Sequence, residues 1–292
     1  MEQRRIEANG VDFAYLEDGP ADGPLVLCLH GFPDHAPTFA SLQADLAAAG
    51  FRSVAPWMRG YAPTAVPADG RYQSAALAMD AIELADALAP GGEAVLIGHD
   101  WGAVAAYAAV AHRPDRFRKL VTMSVPHGQV LGAAFLRHPE QLKRSWYMFF
   151  FQTPLAEVAV PNNDFALIDM LWRDWSPGFR PEGSFMQELK QTLASPGTLG
   201  AAIGYYRAAF DPSRHDPALV DVQGKAGDPI HVPTLYLHGS DDGCLGADII
   251  EETALHPAFP GGLEFELVRG AGHFLHLERP QVVGKRILNF LA

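Results

Sequence analysis

The chain has 292 residues, 48% of them hydrophobic, and a formal net charge of −12 from 34 acidic and 22 basic residues. That length suits one large domain or a domain with an insertion, and the acidic excess argues against nucleic acids and anionic membranes as partners, because both bind clustered Lys and Arg. With no apolar segment at the N-terminus, no apolar run of 18 residues and two cysteines, too few for a disulfide framework, the sequence predicts a cytoplasmic protein.

Short apolar runs alternate with helical patterns in the first part of the chain. The apolar runs are typical of strands buried on both faces, and they comprise residues 24–31, 51–57, 93–99 and 119–126. The helical patterns between and after them cover residues 39–50, 76–92 and 103–117. This alternation predicts an α/β fold in which a mostly parallel sheet carries helices on both faces.

The alternation stops after the fourth strand and resumes near the end of the chain. Residues 126–231 lack a strand pattern and are too long for a connection, which predicts an inserted helical cap. Strand-like runs then return at residues 233–240 and 263–270, and residues 281–292 form a closing helix. We therefore expect a core formed by residues 1–125 and 232–292.

Two side-chain environments can be predicted from these elements. Cys28 lies inside an apolar run and is expected to be a buried core thiol. Asp80, Glu83 and Asp86 are spaced three residues apart in a helical segment, which favours a solvated stripe on the helix surface.

The segment Gly98-His99-Asp100-Trp101-Gly102 lies between a strand and a helix. Glycines two residues before and after Asp100 allow a sharp turn that would expose a nucleophile at the start of the helix, whose free N–H groups favour negative charge. An Asp at a helix start is also a common N-cap. The segment by itself leaves both interpretations open.

Three further segments follow strands. The loop at His30-Gly31-Phe32-Pro33 can present a backbone N–H beside that of Trp101 as an oxyanion hole, or it is simply a tight turn. Asp242 follows a late strand, with Asp241 as a local alternative, and His273 follows the last strand. The order Asp100, Asp242, His273 is the nucleophile, acid, base order of the α/β-hydrolase fold.

Taken together, the segments HGFP, GHDWG, HGSDDG and GAGHFLHLERP resemble those of epoxide hydrolases of the α/β-hydrolase fold, with haloalkane dehalogenases as near relatives. The resemblance covers essentially the whole chain. It implies that Asp100 is the nucleophile, Asp242 the acid and His273 the base. It also implies a cis Phe32–Pro33 bond and an oxyanion hole formed by the amides of Phe32 and Trp101.

An aspartate nucleophile indicates attack on an sp3 carbon. Attack on an acyl group would give an anhydride, whereas attack on an alkyl carbon gives an ordinary ester that water can hydrolyse with a histidine as base. The chemistry therefore favours epoxide opening or halide displacement over ester or peptide hydrolysis.

An epoxide oxygen leaves as a basic alkoxide and needs an acid, which a tyrosine can provide. By resemblance to the cap motifs of the family, Tyr147, five residues before Gln152, and Tyr206, directly before Arg207, are the two acids. The second motif departs from the common Asn-Trp-Tyr-Arg-Asn form, which leaves Tyr205 as an alternative to Tyr206.

The resulting hypothesis is an epoxide hydrolase that acts on a small hydrophobic epoxide as a monomer or homodimer, without a cofactor. Metal ligands are not expected, because the twelve histidines are scattered without a zinc spacing. A haloalkane or haloacid dehalogenase is the alternative, although Phe32 has no side-chain donor for a halide. A small-molecule receptor on a hydrolase scaffold is a third possibility.

Overall fold

The computed structural model describes the backbone of residues 1–292 and the side chains of residues 1–251 and 254–292. The strands are β1 (Glu2–Ala8), β2 (Val11–Asp18), β3 (Leu25–Leu29), β4 (Arg52–Pro56), β5 (Ala94–His99), β6 (Phe117–Met123), β7 (Thr234–Gly239) and β8 (Leu263–Val268). In the described backbone they form one sheet in the order β1-β2-β4-β3-β5-β6-β7-β8, and the pairs from β4 to β8 are parallel. The expected α/β architecture is therefore confirmed.

The helices lie in the segments that connect the strands and in the segment after β8. They are α1 (Ala40–Ala48), α2 (Ser74–Leu88), α3 (Trp101–His112), α4 (Gly128–Arg137), α5 (Pro139–Arg144), α6 (Trp146–Phe150), α7 (Leu155–Ala159), α8 (Asn162–Trp175), α9 (Phe185–Ala194), α10 (Thr198–Phe210), α11 (Val220–Gly224), α12 (Glu252–Leu255), α13 (Leu275–Glu278) and α14 (Pro280–Leu291). Helices α4 to α11 occupy the connection between β6 and β7. None of the helices, among the residues described, is both long and apolar enough to cross a membrane.

The hairpin of β1 and β2 was not predicted from the sequence. Both of its strand pairings, β1 with β2 and β2 with β4, are antiparallel. Asn9 and Gly10 form the turn with φ values of 48° and 70°. An Asn-Gly pair between strands is a strong hairpin signal, because both turn residues need positive φ, and it was available in the sequence.

The middle of the sheet is fully buried. Every residue of β3 and β5 is buried, as expected for strands covered by helices on both faces. Cys28 lies in β3 with none of its surface exposed, and burial raises the pKa of its thiol, so this cysteine is the predicted core residue. Helix α3 is buried along most of its length.

The predicted solvated stripe on α2 is wrong at Asp80. Its side chain is buried and accepts two hydrogen bonds from Arg59, whose Nη2 lies 2.6 Å from Asp80 Oδ1 in a salt bridge. Asn9 Nδ2 donates a third hydrogen bond to this carboxylate. The three-residue spacing could not reveal this burial, because the cation that neutralises Asp80 comes from a loop 21 residues earlier.

Candidate active site

Asp100 lies in the sharp turn between β5 and α3. Its backbone has φ 52° and ψ −119°, a conformation that non-glycine residues rarely adopt. A Cβ atom at Gly98 would lie 2.3 Å from the Gly102 carbonyl oxygen, and one at Gly102 would lie 2.0 Å from the Leu29 carbonyl oxygen. The two flanking glycines therefore allow β3, β5 and α3 to approach closely behind Asp100.

The Asp100 carboxylate faces the loop after β3 and does not cap its helix. Phe32 N donates a 2.7 Å hydrogen bond to Asp100 Oδ1, and the side chain makes no capping hydrogen bond among the described residues. The interpretation of the Asp100 side chain as an N-cap is therefore wrong. A Cβ atom at Gly31 would lie 2.2 Å from Asp100 Oδ1, so a glycine is required there for this approach.

His30 and Pro33 hold this loop in place. His30 Nε2 accepts a hydrogen bond from Met58 N at 3.0 Å, so its proton is on Nδ1, which donates to the Gly31 carbonyl at 2.9 Å. Burial lowers the pKa of His30 to about 4, so the ring stays neutral. The Phe32–Pro33 bond is cis, as the resemblance implied, and the Pro33 carbonyl accepts a hydrogen bond from Trp172 Nε1 of α8.

Asp242 and His273 meet Asp100 at the carboxyl edge of the sheet. His273 Nδ1 lies 2.9 Å from Asp242 Oδ2, and His273 Nε2 lies 3.5 Å from Asp100 Oδ2. Asp242 Oδ1 accepts hydrogen bonds from Cys244 N and Leu245 N, which fix the carboxylate. The alternative Asp241 is exposed and accepts a hydrogen bond from Ser240.

The imidazole of His273 is buried between the two carboxylates. Burial opposes its charged form, but attraction to Asp242 and hydrogen bonding to Asp100 and Asp242 outweigh this and hold the pKa of His273 well above its usual value. The resting site therefore favours an imidazolium flanked by Asp100 and Asp242.

Residues that the sequence analysis did not select fix the His273 backbone. Its N–H donates to the Trp175 carbonyl at the end of α8. Its carbonyl accepts hydrogen bonds from Ser124 Oγ at 2.6 Å and from His99 Nε2 at 2.9 Å. Ser124 follows β6 with φ 66°, and no local sequence pattern predicts a contact across 149 residues.

A cavity of about 380 Å³ opens above Asp100 between the core and the helices after β6. Tyr147 of α6 and Tyr206 of α10 line it, with ring centroids 5.6 Å apart. The remaining wall is mostly apolar and includes Trp101, Val104, Val125, Leu131, Phe135, Met148 and Leu245. The cavity therefore suits a small apolar molecule with a polar atom that the hydroxyl groups of Tyr147 and Tyr206 can contact near the Asp100 carboxylate.

The two cavity tyrosines differ in their hydrogen bonds. Tyr147 Oη lies 3.3 Å from Cys244 Sγ, whereas Tyr206 Oη makes no hydrogen bond among the described residues. Burial raises the pKa of both phenols well above the usual value, so both keep their protons. Tyr205 is not among the described residues that line the cavity, and its hydroxyl donates to the Arg59 carbonyl at 2.6 Å.

Two groups of buried side chains have the spacing to hold a metal ion, within the described part of the chain. One consists of Asp34, His99 and His276, and the other of Asp242, Cys244 and His273. Burial raises the pKa of Asp34 to about 8 and lowers that of His99 to about 3, so the first group tends to be uncharged. The sequence spacing did not predict either group, because each brings together residues from distant parts of the chain.

Comparison with known proteins places these features in context. A family model described as the alpha/beta hydrolase fold matches residues 24–280. "Epoxide hydrolase 4" of Homo sapiens is 30% identical over 296 residues, which cover 98% of this chain and 77% of the human protein. An "Epoxide hydrolase" of Caballeronia sordidicola is 31% identical over 319 residues, covering 98% of this chain and 92% of the relative.

Solved structures show the same architecture. A structure described among novel epoxide hydrolases in metagenomes from hot environments has a TM-score of 0.84 at 26% identity, covering 100% of this chain and 98% of the other. The Bacillus megaterium epoxide hydrolase has a TM-score of 0.85 at 23% identity, with 99% of each chain covered, which supports the fold.

Proposed function

The chain belongs to the epoxide hydrolases of the α/β hydrolase fold, and we propose that it converts an epoxide into a vicinal diol through an alkyl ester on Asp100. One observation carries this proposal. A carboxylate fixed by a backbone amide at 2.7 Å shares a cavity with two buried phenols and lies 3.5 Å from an imidazole that a second carboxylate orients.

In the first step, Asp100 Oδ2 attacks an epoxide carbon and the ring C–O bond breaks. The ring oxygen becomes an alkoxide, which is more basic than a phenolate, so Tyr147 or Tyr206 transfers a proton to it. The resulting tyrosinate recovers its proton from solvent. The Tyr205 hydroxyl is committed to the Arg59 carbonyl, which favours Tyr206 as the second acid.

Ester formation also prepares the base. Asp100 loses its negative charge when it is alkylated, so one of the two carboxylates that raise the pKa of His273 disappears. The imidazolium then releases its proton to solvent, and neutral His273 accepts a proton from the attacking water. The imidazole therefore becomes a base when the intermediate needs one.

In the second step, water attacks the carbonyl carbon of the Asp100 ester. Negative charge develops on an ester oxygen, where Phe32 N already donates, and we propose the Trp101 amide as the second donor. Collapse of this intermediate breaks the bond between the carbonyl carbon and the alkoxy oxygen. The new carboxyl group passes its proton to the leaving alkoxide, which releases the diol and restores the Asp100 carboxylate. In this proposal residues 126–231 form the cap that carries the acids, and the core is residues 1–125 and 232–292.

Single-turnover experiments with excess enzyme and styrene oxide test the two steps. Asp100→Ala should consume no epoxide, and His273→Gln should accumulate an adduct visible in the intact protein mass. The double variant Tyr147→Phe with Tyr206→Phe should lose ring opening, while Tyr205→Phe, the matched control, should retain it. Full turnover by Asp100→Ala, or ring opening by the double tyrosine variant, would refute the proposal.

Dehalogenation uses the same nucleophile and is the competing activity. A halide leaves without a proton and is held by N–H donors, whereas the Phe32 side chain packs against Tyr206 and Phe151 and offers no donor. Halide release from a haloalkane panel, measured beside diol formation, separates the two activities. Faster halide release than diol formation would favour the dehalogenase.

A further inference from the structure

Cys244 is a thiol inside the candidate active site. It lies two residues after Asp242, lines the same cavity as Asp100, and has 1% of its surface exposed. Its sulfur lies 3.3 Å from the Tyr147 hydroxyl. The mechanism proposed above gives this sulfur no role in bond making or breaking.

The thiol belongs to a group of convergent ligand atoms. A carboxylate oxygen of Asp242, Sγ of Cys244 and a ring nitrogen of His273 all lie within 4.8 Å of one another. Zinc bond lengths place the ligand atoms of a tetrahedral site roughly 3.3–3.6 Å apart, so small side-chain shifts would bring these three atoms to coordination distance. Thiolate, imidazole and carboxylate are also the ligand types that Zn²⁺ prefers.

The charge of the site favours a cation at this place. His273 Nε2 lies 3.5 Å from Asp100 Oδ2, so a cation that binds this nitrogen displaces its proton. Asp100 and Asp242 supply two carboxylates against one imidazole, which attracts positive charge. The cavity also reaches the surface at the half-exposed Phe210, which provides a route of entry.

We propose that Asp242, Cys244 and His273 form a binding site for a thiophilic divalent cation such as Zn²⁺ or Cd²⁺, and that its occupation blocks turnover. Coordination through His273 Nε2 removes the base. Coordination through Nδ1 breaks the hydrogen bond to Asp242 that orients the ring. Either mode stops hydrolysis of the ester.

Metal binding requires the thiolate and a neutral imidazole, so the protons of Cys244 and His273 are released to water.

Cadmium titration of the intact enzyme tests binding without reference to catalysis. The wild type should show the ultraviolet charge-transfer band of a cadmium thiolate, saturating at one equivalent. Cys244→Ala should lose the band, whereas Cys28→Ala should keep it, because Cys28 is fully buried in β3. A band that survives in Cys244→Ala, or disappears in Cys28→Ala while the protein remains folded, would overturn the assignment.

Inhibition is measured separately and rests on the proposed function. For each variant, diol formation with Zn²⁺ is divided by diol formation without it, so a change in basal turnover cancels. Mutation of a residue that only contacts a metal ligand typically weakens metal binding about 10–100-fold. Loss of the ligand Cys244 itself should therefore raise the half-inhibitory concentration of Zn²⁺ by at least that factor. Cys244→Ser should behave like Cys244→Ala, and a chelator should restore wild-type activity. Equal inhibition of wild type and both variants would refute the site even where the epoxide hydrolase activity stands.

Discussion

Replacing Asp100 with asparagine should lower the pKa of His273. The substitution keeps the shape of the side chain but removes one of the two carboxylates that flank the imidazole. It therefore imitates the loss of charge that accompanies ester formation. The variant separates the electrostatic role of Asp100 from its proposed role as a nucleophile.

The separation of the charges sets the magnitude. Asp100 Oδ2 lies 3.5 Å from His273 Nε2, and both side chains are buried. At an effective dielectric constant of about 20, two unit charges about 4 Å apart interact by about 4 kcal/mol, which corresponds to about 3 pKa units. Opposite charges at such distances shift pKa values by about 1–3 units in practice, so a decrease within that range is expected.

Nuclear magnetic resonance of protein labelled with ¹⁵N-histidine measures this shift directly. The His273 signals are assigned by their absence in His273→Gln, and the pH titration is then compared between wild type and Asp100→Asn. Intact mass confirms that the asparagine has not hydrolysed during the measurement. Asp241→Asn is a matched control, because Asp241 is exposed and bonds to Ser240.

An unchanged His273 pKa in Asp100→Asn would refute the reasoning. It would mean that Asp242 alone sets the protonation of the imidazole and that ester formation cannot release its proton. An equal decrease in the Asp241→Asn control would point to the net charge of the protein rather than to the contact.

Three further predictions follow from the packing around the site. Gly31→Ala should abolish turnover, because the new Cβ would lie 2.2 Å from Asp100 Oδ1, and circular dichroism should show that the protein is still folded. The control Gly92→Ala should remain active, because its new Cβ would have its nearest neighbour at 3.7 Å. Asp80→Asn should lower the free energy of unfolding in urea by about 3–5 kcal/mol, because it leaves the buried Arg59 without its countercharge; a loss below about 1 kcal/mol would contradict a buried ion pair. Lowering the pH below about 6.5 should reduce the urea midpoint, because the histidines of the unfolded chain become protonated while the buried histidines of the folded protein stay neutral. Each such proton lowers the free energy of unfolding by about 1.4 kcal/mol per pH unit. Burial lowers the pKa to about 4 for His30, to about 3 for His35 and to about 3 for His99. The combined effect of these histidines on stability outweighs that of Asp34, whose raised pKa acts in the opposite direction. A urea midpoint that stays constant between pH 7.5 and 5 would contradict this prediction.

Much of the site could be predicted because its residues sit at strand ends. The carboxyl ends of parallel strands meet at one edge of a sheet, so the loops at His30, Asp100, Asp242 and His273 were expected together before any coordinates. The turn at Asp100 is also local, since Gly98 and Gly102 set its geometry within five residues. The β1–β2 hairpin was equally local and was missed, although its Asn-Gly turn was readable.

The sequence by itself determined the α/β class, the position of the sharp turn at Asp100 and the chain order of Asp100, Asp242 and His273. Only the tertiary structure decided that the Tyr205 hydroxyl bonds to the Arg59 carbonyl while Tyr206 faces the cavity, that Asp80 is buried, and that Cys244 lies against Tyr147. The physical reason is the range of the interactions. Turns and strand ends follow from backbone geometry over a few residues, whereas these contacts depend on how elements separated by about 20 to 150 residues pack.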